Sequence, residues 1–293
     1  MTIEKLIGNT PLVQVNPSGL NEKVKIYTKL EGNNPAGSVK DRTAYFMINE
    51  ALKEGSLKRT DTIIEATSGN TGIALAMIAA SFNIDIKLVM PDNATPERVS
   101  TMKAYGAEVI LTPAEKTIEY SRLKAKELSD ARGYVILDQF NNPNNKLAHI
   151  KTTGPEIWRD TEGQITHFVS SMGTTGTITG TSNFLKSQNE QVKIIGVQPI
   201  TGERIPGIRT WSKAFLPGIY EEDKVDQIEY ITRAQAIESS RELAMNEGLF
   251  VGISSGGAYT ITKKISQQIE EGLIVFISCD RGDRYLSSDL ISS

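Results

Sequence analysis

The stretch TIIEATSGNTGIALAMIAA (residues 62–80) reads as a strand, a tight turn and a helix in immediate succession. TIIEA is short and β-branched, TSGNTG is made of small and turn-forming residues, and the apolar run after it is too long for a strand and too short to span a membrane. A strand that passes through such a turn into a helix comes back as a parallel neighbour, because the helix must pack on the sheet it left. The succession recurs: IKLVM with PERVSTMKAYG, AEVILT with IEYSRLKAKELSDARG, HFVSSM with TITGTSNFLKS, and late in the chain LIVFIS. Repeated alternation of this kind predicts an α/β protein of doubly wound, mostly parallel sheets covered by helices on both faces.

Composition narrows the function. The 293-residue chain is 39% hydrophobic and 23% charged, with a net charge of -3 and both signs interleaved, so no basic face for nucleic acid or anionic lipid is expected. One cysteine, Cys279, excludes an internal disulfide, and two histidines, His149 and His167, make a Cys/His metal cluster improbable; no metal is expected. Glu4 and Lys5 interrupt the amino terminus where a secretory signal needs an apolar core, which suggests a cytoplasmic protein with a small-molecule partner and no membrane. The Asn-, Pro- and Gly-rich stretch DQFNNPNNKLAHIKTTGPEIW (138–158) is expected to connect two domains. A second irregular piece, QPITGERIPGIRTWSKAFLPGIY (198–220), is expected to be a functional loop.

Three glycine-bearing junctions carry the chemistry. TSGNTG (67–72) exceeds what a Thr67 or Ser68 helix cap needs, and unpaired amides at a helix start attract a carboxylate or phosphate. GTTGT (173–177) repeats the arrangement after HFVSSM; it is neither a Walker loop nor a dinucleotide fingerprint, and its threonines favour a phosphate cradle. GISSGG (252–257) would be read as a serine cap if it stood alone. Three such loops at the carboxyl ends of strands can converge on one crevice.

The run GNNPAGSVKDR (32–42) places Lys40 just before a helical pattern, with Ala44, Met47, Ile48, Ala51 and Leu52 at three- and four-residue spacing. Most lysines are solvated, and a free amine with a pKa near ~10.4 is a poor nucleophile unless burial or a helix end lowers it. A lysine with a phosphate cradle, few histidines and no metal set suits a pyridoxal phosphate enzyme, which needs a Schiff-base amine and a dianion clamp.

The motifs IGNTPLV, NNPAGSVKDR, EATSGNTGIALA, MPDNATPER, DQFNNP, TTGPEIW, GTTGTITG, VGISSGG and DRGDRYLS together resemble the fold type II (tryptophan synthase β-like) pyridoxal phosphate enzymes over essentially the whole chain. Within that group they resemble the cysteine synthases, or O-acetylserine sulfhydrylases, and the Cys279-Asp280 pair is similar to the B-type branch. The resemblance implies a smaller α/β domain over residues 35–145, movable at about 87–130, and a larger one from 1–34 and 146–293, with the cofactor cleft between them. It also implies a homodimer.

It implies roles as well. Lys40 would carry pyridoxal 5′-phosphate and act as acid and base at the substrate Cα. Asn70 would bond the cofactor's 3′-oxygen, Gly173, Thr174, Thr175, Gly176 and Thr177 would hold its phosphate, and Ser254 would face the pyridine nitrogen. Thr67, Ser68, Thr71 and Gln139 would bind the substrate carboxylate, with Arg209 and Cys279 as further substrate contacts. Because a serine does not keep the pyridine nitrogen protonated, β-elimination is favoured over transamination. The implied reaction is β-replacement of O-acetyl-L-serine by sulfide through an α-aminoacrylate, giving L-cysteine. Thiosulfate, giving S-sulfocysteine, is a second donor to consider, although Thr210 stands where relatives often carry a second arginine. A cystathionine β-synthase-like or dehydratase activity, and a catalytically silent binding protein on the same fold, remain the alternatives.

Overall fold

The computed structural model describes residues 2–67, 69–211 and 216–291. Six strands form one sheet in the order β1-β2-β9-β6-β7-β8: β1 (Leu12–Val15), β2 (Val24–Leu30), β9 (Gly272–Ser278), β6 (His167–Ser171), β7 (Lys193–Pro199) and β8 (Gln227–Ile231). All neighbours are parallel except the edge strand β1, which pairs antiparallel with β2. A second, parallel sheet holds β3 (Thr62–Ala66), β4 (Asp85–Pro91) and β5 (Glu108–Thr112), and is extended by a single bridge between Ile63 and Val135.

Both sheets are buried on both faces, as crossover topology requires. Along β9, Ile274 and Phe276 enter one core, with residues of α8 (Arg233–Glu247) and α9 (Ile253–Ser266). Leu273, Val275 and Ile277 enter the opposite core, with α6 (Gly154–Asp160) and α7 (Gly176–Gln188). This is the period-two alternation of a strand with apolar residues on both sides. The smaller sheet packs α1 (Lys40–Glu54), α2 (Asn70–Phe82) and α3 (Pro96–Ala104) in one cluster and α4 (Thr117–Arg132) in another. The doubly wound α/β class expected from the sequence is the one found.

The stretch 138–158, expected to connect two domains, is helical for most of its length: Asn142 caps α5 (Pro143–Ala148), a π-helical turn His149–Thr153 follows, and α6 continues it. The asparagine accepts from the Asn144 amide and Pro143 occupies the first turn, where a missing N–H costs nothing. GISSGG is not a loop capped by serine. α9 starts at Ile253 with Gly252 as its cap, it follows a lone bridge at Val251 rather than a long strand, and Gly256 lies so close to α8 that a Cβ would come 2.1 Å from the Ala236 carbonyl oxygen. Lys40 is not ahead of its helix; it is the first residue of α1.

Candidate active site

The carboxyl ends of parallel strands deliver the site, where an open α/β sheet binds its ligands. A cavity of about 1020 Å³ is lined by Lys40, Thr67, Asn70, Thr71, Gln139, Gly173, Thr174, Thr175, Thr177, Arg209, Ser254 and Cys279. Of the residues singled out in the sequence, Gly176 does not line the cavity itself, and Ser68 is outside the described residues.

β2 hands the chain through 31–39 to Lys40, whose backbone is fixed by the Val39 amide on the Cys279 carbonyl at 2.8 Å. Burial pushes the Lys40 amine below its usual range, and the nearby Cys279 and Asp280 only partly offset this. Behind it, Arg42 is fully buried and spans two carboxylates, Glu31 (2.7 Å) and Glu156 (2.6 Å); Lys29 adds a second cation to Glu156 at 2.9 Å. Burial works against the Glu156 carboxylate, but the Arg42 guanidinium outweighs it and holds the pKa down at about 2. This network anchors the first turn of α1. Its members lie too far apart in the chain for any local spacing to announce them.

β3 ends at Ala66, and the cap of α2 is Gly69, which has no side chain to offer the first-turn amides. Asn70 is gripped at both ends of its amide, giving Nδ2 to Asp280 at 2.6 Å and accepting from Arg284 at 2.5 Å. Thr71 donates to Gln139 at 2.8 Å, which joins two of the expected carboxylate-binding side chains. Gln139 is positioned from below: Asp138, with φ 50, donates its amide to buried Glu65 at 3.1 Å.

β6 runs into GTTGT and then α7. Thr175 caps α7 in the left-handed region at φ 70 without a side-chain cap, and its buried Oγ1 has no hydrogen-bond partner. A Cβ at Gly173 would come 2.4 Å from the Gly207 carbonyl, and one at Gly176 would come 2.0 Å from Asn145 Oδ1, so both positions demand glycine. Two residues that composition concealed support this loop. Asn145 donates to the Gln139 carbonyl (2.7 Å) and to Thr174 (3.1 Å), and His149 sits 3.3 Å from the Thr177 hydroxyl. Burial pushes the His149 pKa well down, so its ring is neutral and structural. The signal for both was the Asn142-Pro143 pair, which marks a helix start.

Ser254 is buried in the first turn of α9, and Trp211 donates its indole N–H to the Gly173 carbonyl at 2.9 Å. Burial raises the Cys279 thiol to about 11, so it is a neutral group at the cavity wall. At the rim, the guanidiniums of Arg122 and Arg209 lie 5.3 and 5.9 Å from the Phe140 ring centroid.

The donor set fits a phosphorylated aldehyde. An amine with a depressed pKa shares a cavity with the start of α7, whose cap residue Thr175 makes no side-chain bond to the helix and, among the described residues, leaves its buried hydroxyl without a partner. A family profile described as pyridoxal-phosphate dependent enzyme matches residues 3–280, and the chain belongs to that family. Within it, the chain is 54% identical to cysteine synthase B of Salmonella typhimurium, over 98% of this chain and 95% of the relative. It is 52% identical to cysteine synthase B of Pseudomonas aeruginosa, over 98% and 96%. Its fold is similar to the crystal structure of cysteine synthase from Entamoeba histolytica, with a TM-score of 0.94, 37% identity, and coverage of 100% of this chain and 90% of that one.

Proposed function

We propose that the protein is a cysteine synthase that replaces the acetate of O-acetyl-L-serine with sulfide. The observation that carries this reading is the meeting of the Lys40 amine, the 67–72 helix start and the 173–177 loop in one cavity, in a chain 54% identical to a cysteine synthase B. Bound there, pyridoxal phosphate supplies an aldehyde for the substrate amine and a ring that withdraws electrons from the substrate α-carbon. Gly173, Thr174, Thr175, Gly176 and Thr177 would hold its phosphate with the amides and hydroxyls of the loop and the start of α7, Asn70 would bond the ring's oxygen, and Ser254 would face its nitrogen.

Thr67, Thr71 and Gln139 hold the substrate carboxylate, helped by the positive end of α2. Lys40 Nζ removes the proton from Cα as acetate leaves Cβ, and returns it to Cα once sulfide has added at Cβ. Burial lowers the amine pKa, which makes the neutral base that takes the proton more accessible than in a solvated lysine. The residues 35–145 act as the smaller domain and 87–130 as the part that closes, a division supported by the separate β3-β4-β5 sheet. The reading includes a cytoplasmic homodimer; among the described residues no helix is long and apolar enough to cross a membrane.

The test is direct. Purified protein should show a visible Schiff-base band that shifts on adding O-acetylserine and recovers with sulfide as cysteine forms; a keto acid and ammonia as the products would overturn the reading. Thiosulfate as a second donor is favoured by the guanidiniums of Arg122 and Arg209 at the rim, since Arg122 supplies a cation that position 210 does not. Arg122→Ala should then slow S-sulfocysteine formation while sparing cysteine formation from sulfide.

A further inference from the structure

The segment 279–285 follows β9 and borders the site, with Cys279 and Tyr285 lining the cavity. Its backbone pairs with the loop before Lys40, through the Cys279 carbonyl and a bridge between Ser38 and Asp280, and Arg284 donates to the Ala36 carbonyl. Its side chains reach across to α2. Asp280 is 1% exposed and accepts two hydrogen bonds on Oδ2, from Asn70 Nδ2 at 2.6 Å and from the Tyr285 hydroxyl at 2.7 Å. Arg284 donates to Asn70 Oδ1 at 2.5 Å.

These partners differ in a way that matters. A carboxylate only accepts and a guanidinium only donates, whereas an asparagine amide can be turned end for end with little change of shape. With Asp280 at one end and Arg284 at the other, only one orientation satisfies both: nitrogen to the carboxylate, oxygen to the guanidinium. One Nδ2 hydrogen is then left over, and Asn70 lines the cavity.

We infer that Asp280 and Arg284 are positioning residues that set the orientation of the Asn70 amide, so that it offers a donor to an acceptor oxygen on the bound ring. The inference rests on the functional reading above. It assigns to the Asp280 and Arg284 side chains the selection of an oxygen-bearing cofactor ring, exerted through Asn70.

Because the effect passes through Asn70, a double-mutant cycle isolates it. Cofactor affinity is read by dialysing full-length holoenzyme against falling pyridoxal phosphate and following the visible band. Asn70→Ala and Asp280→Ala should each weaken binding by about tenfold, the usual size for loss of an outer-shell partner. In the Asn70→Ala background, Asp280→Ala should add less than about twofold, and Asp280→Asn, which keeps an acceptor, should stay near the parent. A further tenfold loss in the Asn70→Ala background would overturn the inference, since a merely structural role adds independently of Asn70. If Asp280→Ala does not fold, Asp280→Leu, close in shape but without an acceptor, decides in both backgrounds by the same criterion. A parent protein with no visible band would overturn the functional reading itself, and the inference with it.

Discussion

Lys40 illustrates how much a single position depends on its surroundings. Its amine is lowered by burial, while Arg42, two residues on, is raised by the carboxylates that enclose it. The sequence placed Lys40 near a helix start and beside small residues, which sufficed to nominate it. It did not reveal Arg42, because the partners Glu31 and Glu156 come from other elements. Lys40→Ala should lower turnover by about 1000-fold or more, within the usual reach of a general acid-base group. The far-ultraviolet circular dichroism spectrum should be unchanged, and a variant that still made cysteine at the parent rate would refute the role.

At the scale of elements, the strand-turn-helix units were legible because TIIEA and HFVSSM are β-rich and the turns after them hold glycine. The stretch 138–158 was not, because asparagine, proline and glycine signal loops on average, yet here Asn142 caps, Pro143 fills the first turn and Gly154 lies against Phe184, where a Cβ would come 2.6 Å from it. The strands β1, β2, β7 and β8 also went unread, since each has only a few β-branched residues interspersed with polar ones and carries little periodic signal. Gly176→Ala would drive a methyl group into Asn145, and cofactor affinity should fall at least about tenfold, a loss that equilibrium dialysis would register.

The end of β3 carries a pH effect. Burial raises the Glu65 pKa from 4.5 to about 7, against the pull of the Asp138 amide. The folded chain therefore takes up a proton that the unfolded chain has lost, and this contribution is fully present below pH 4.5 and disappears as pH rises through about 7. Urea unfolding of Glu65→Gln between these limits should show a flatter pH dependence than the parent; equal slopes would refute the assignment.

For the whole molecule, the buried charges of Lys29, Glu31, Arg42 and Glu156 join the end of β2, the start of α1 and α6 in one ion-pair network. Removing one member strands the others, so Arg42→Met should cost about 3–5 kcal/mol in equilibrium unfolding. A loss below about 1 kcal/mol would mean that the carboxylates find other partners. The overall architecture was legible from alternation alone, but the division of strands between two sheets was not, because pairing order is a property of the closed structure.

That pairing order also governs how the chain can be made. β2 spans residues 24–30 and its inner neighbour is β9 at 272–278. On a ribosome, β2 waits for nearly the whole chain before its partner emerges, while β3, β4 and β5 can assemble as soon as residue 112 is clear. The early strands are thus exposed edges during synthesis, open to wrong partners and to chaperones that shield them. The segment that grips Asn70 comes after β9, so the smaller sheet is made first and its site is finished only once residues 280–284 have emerged.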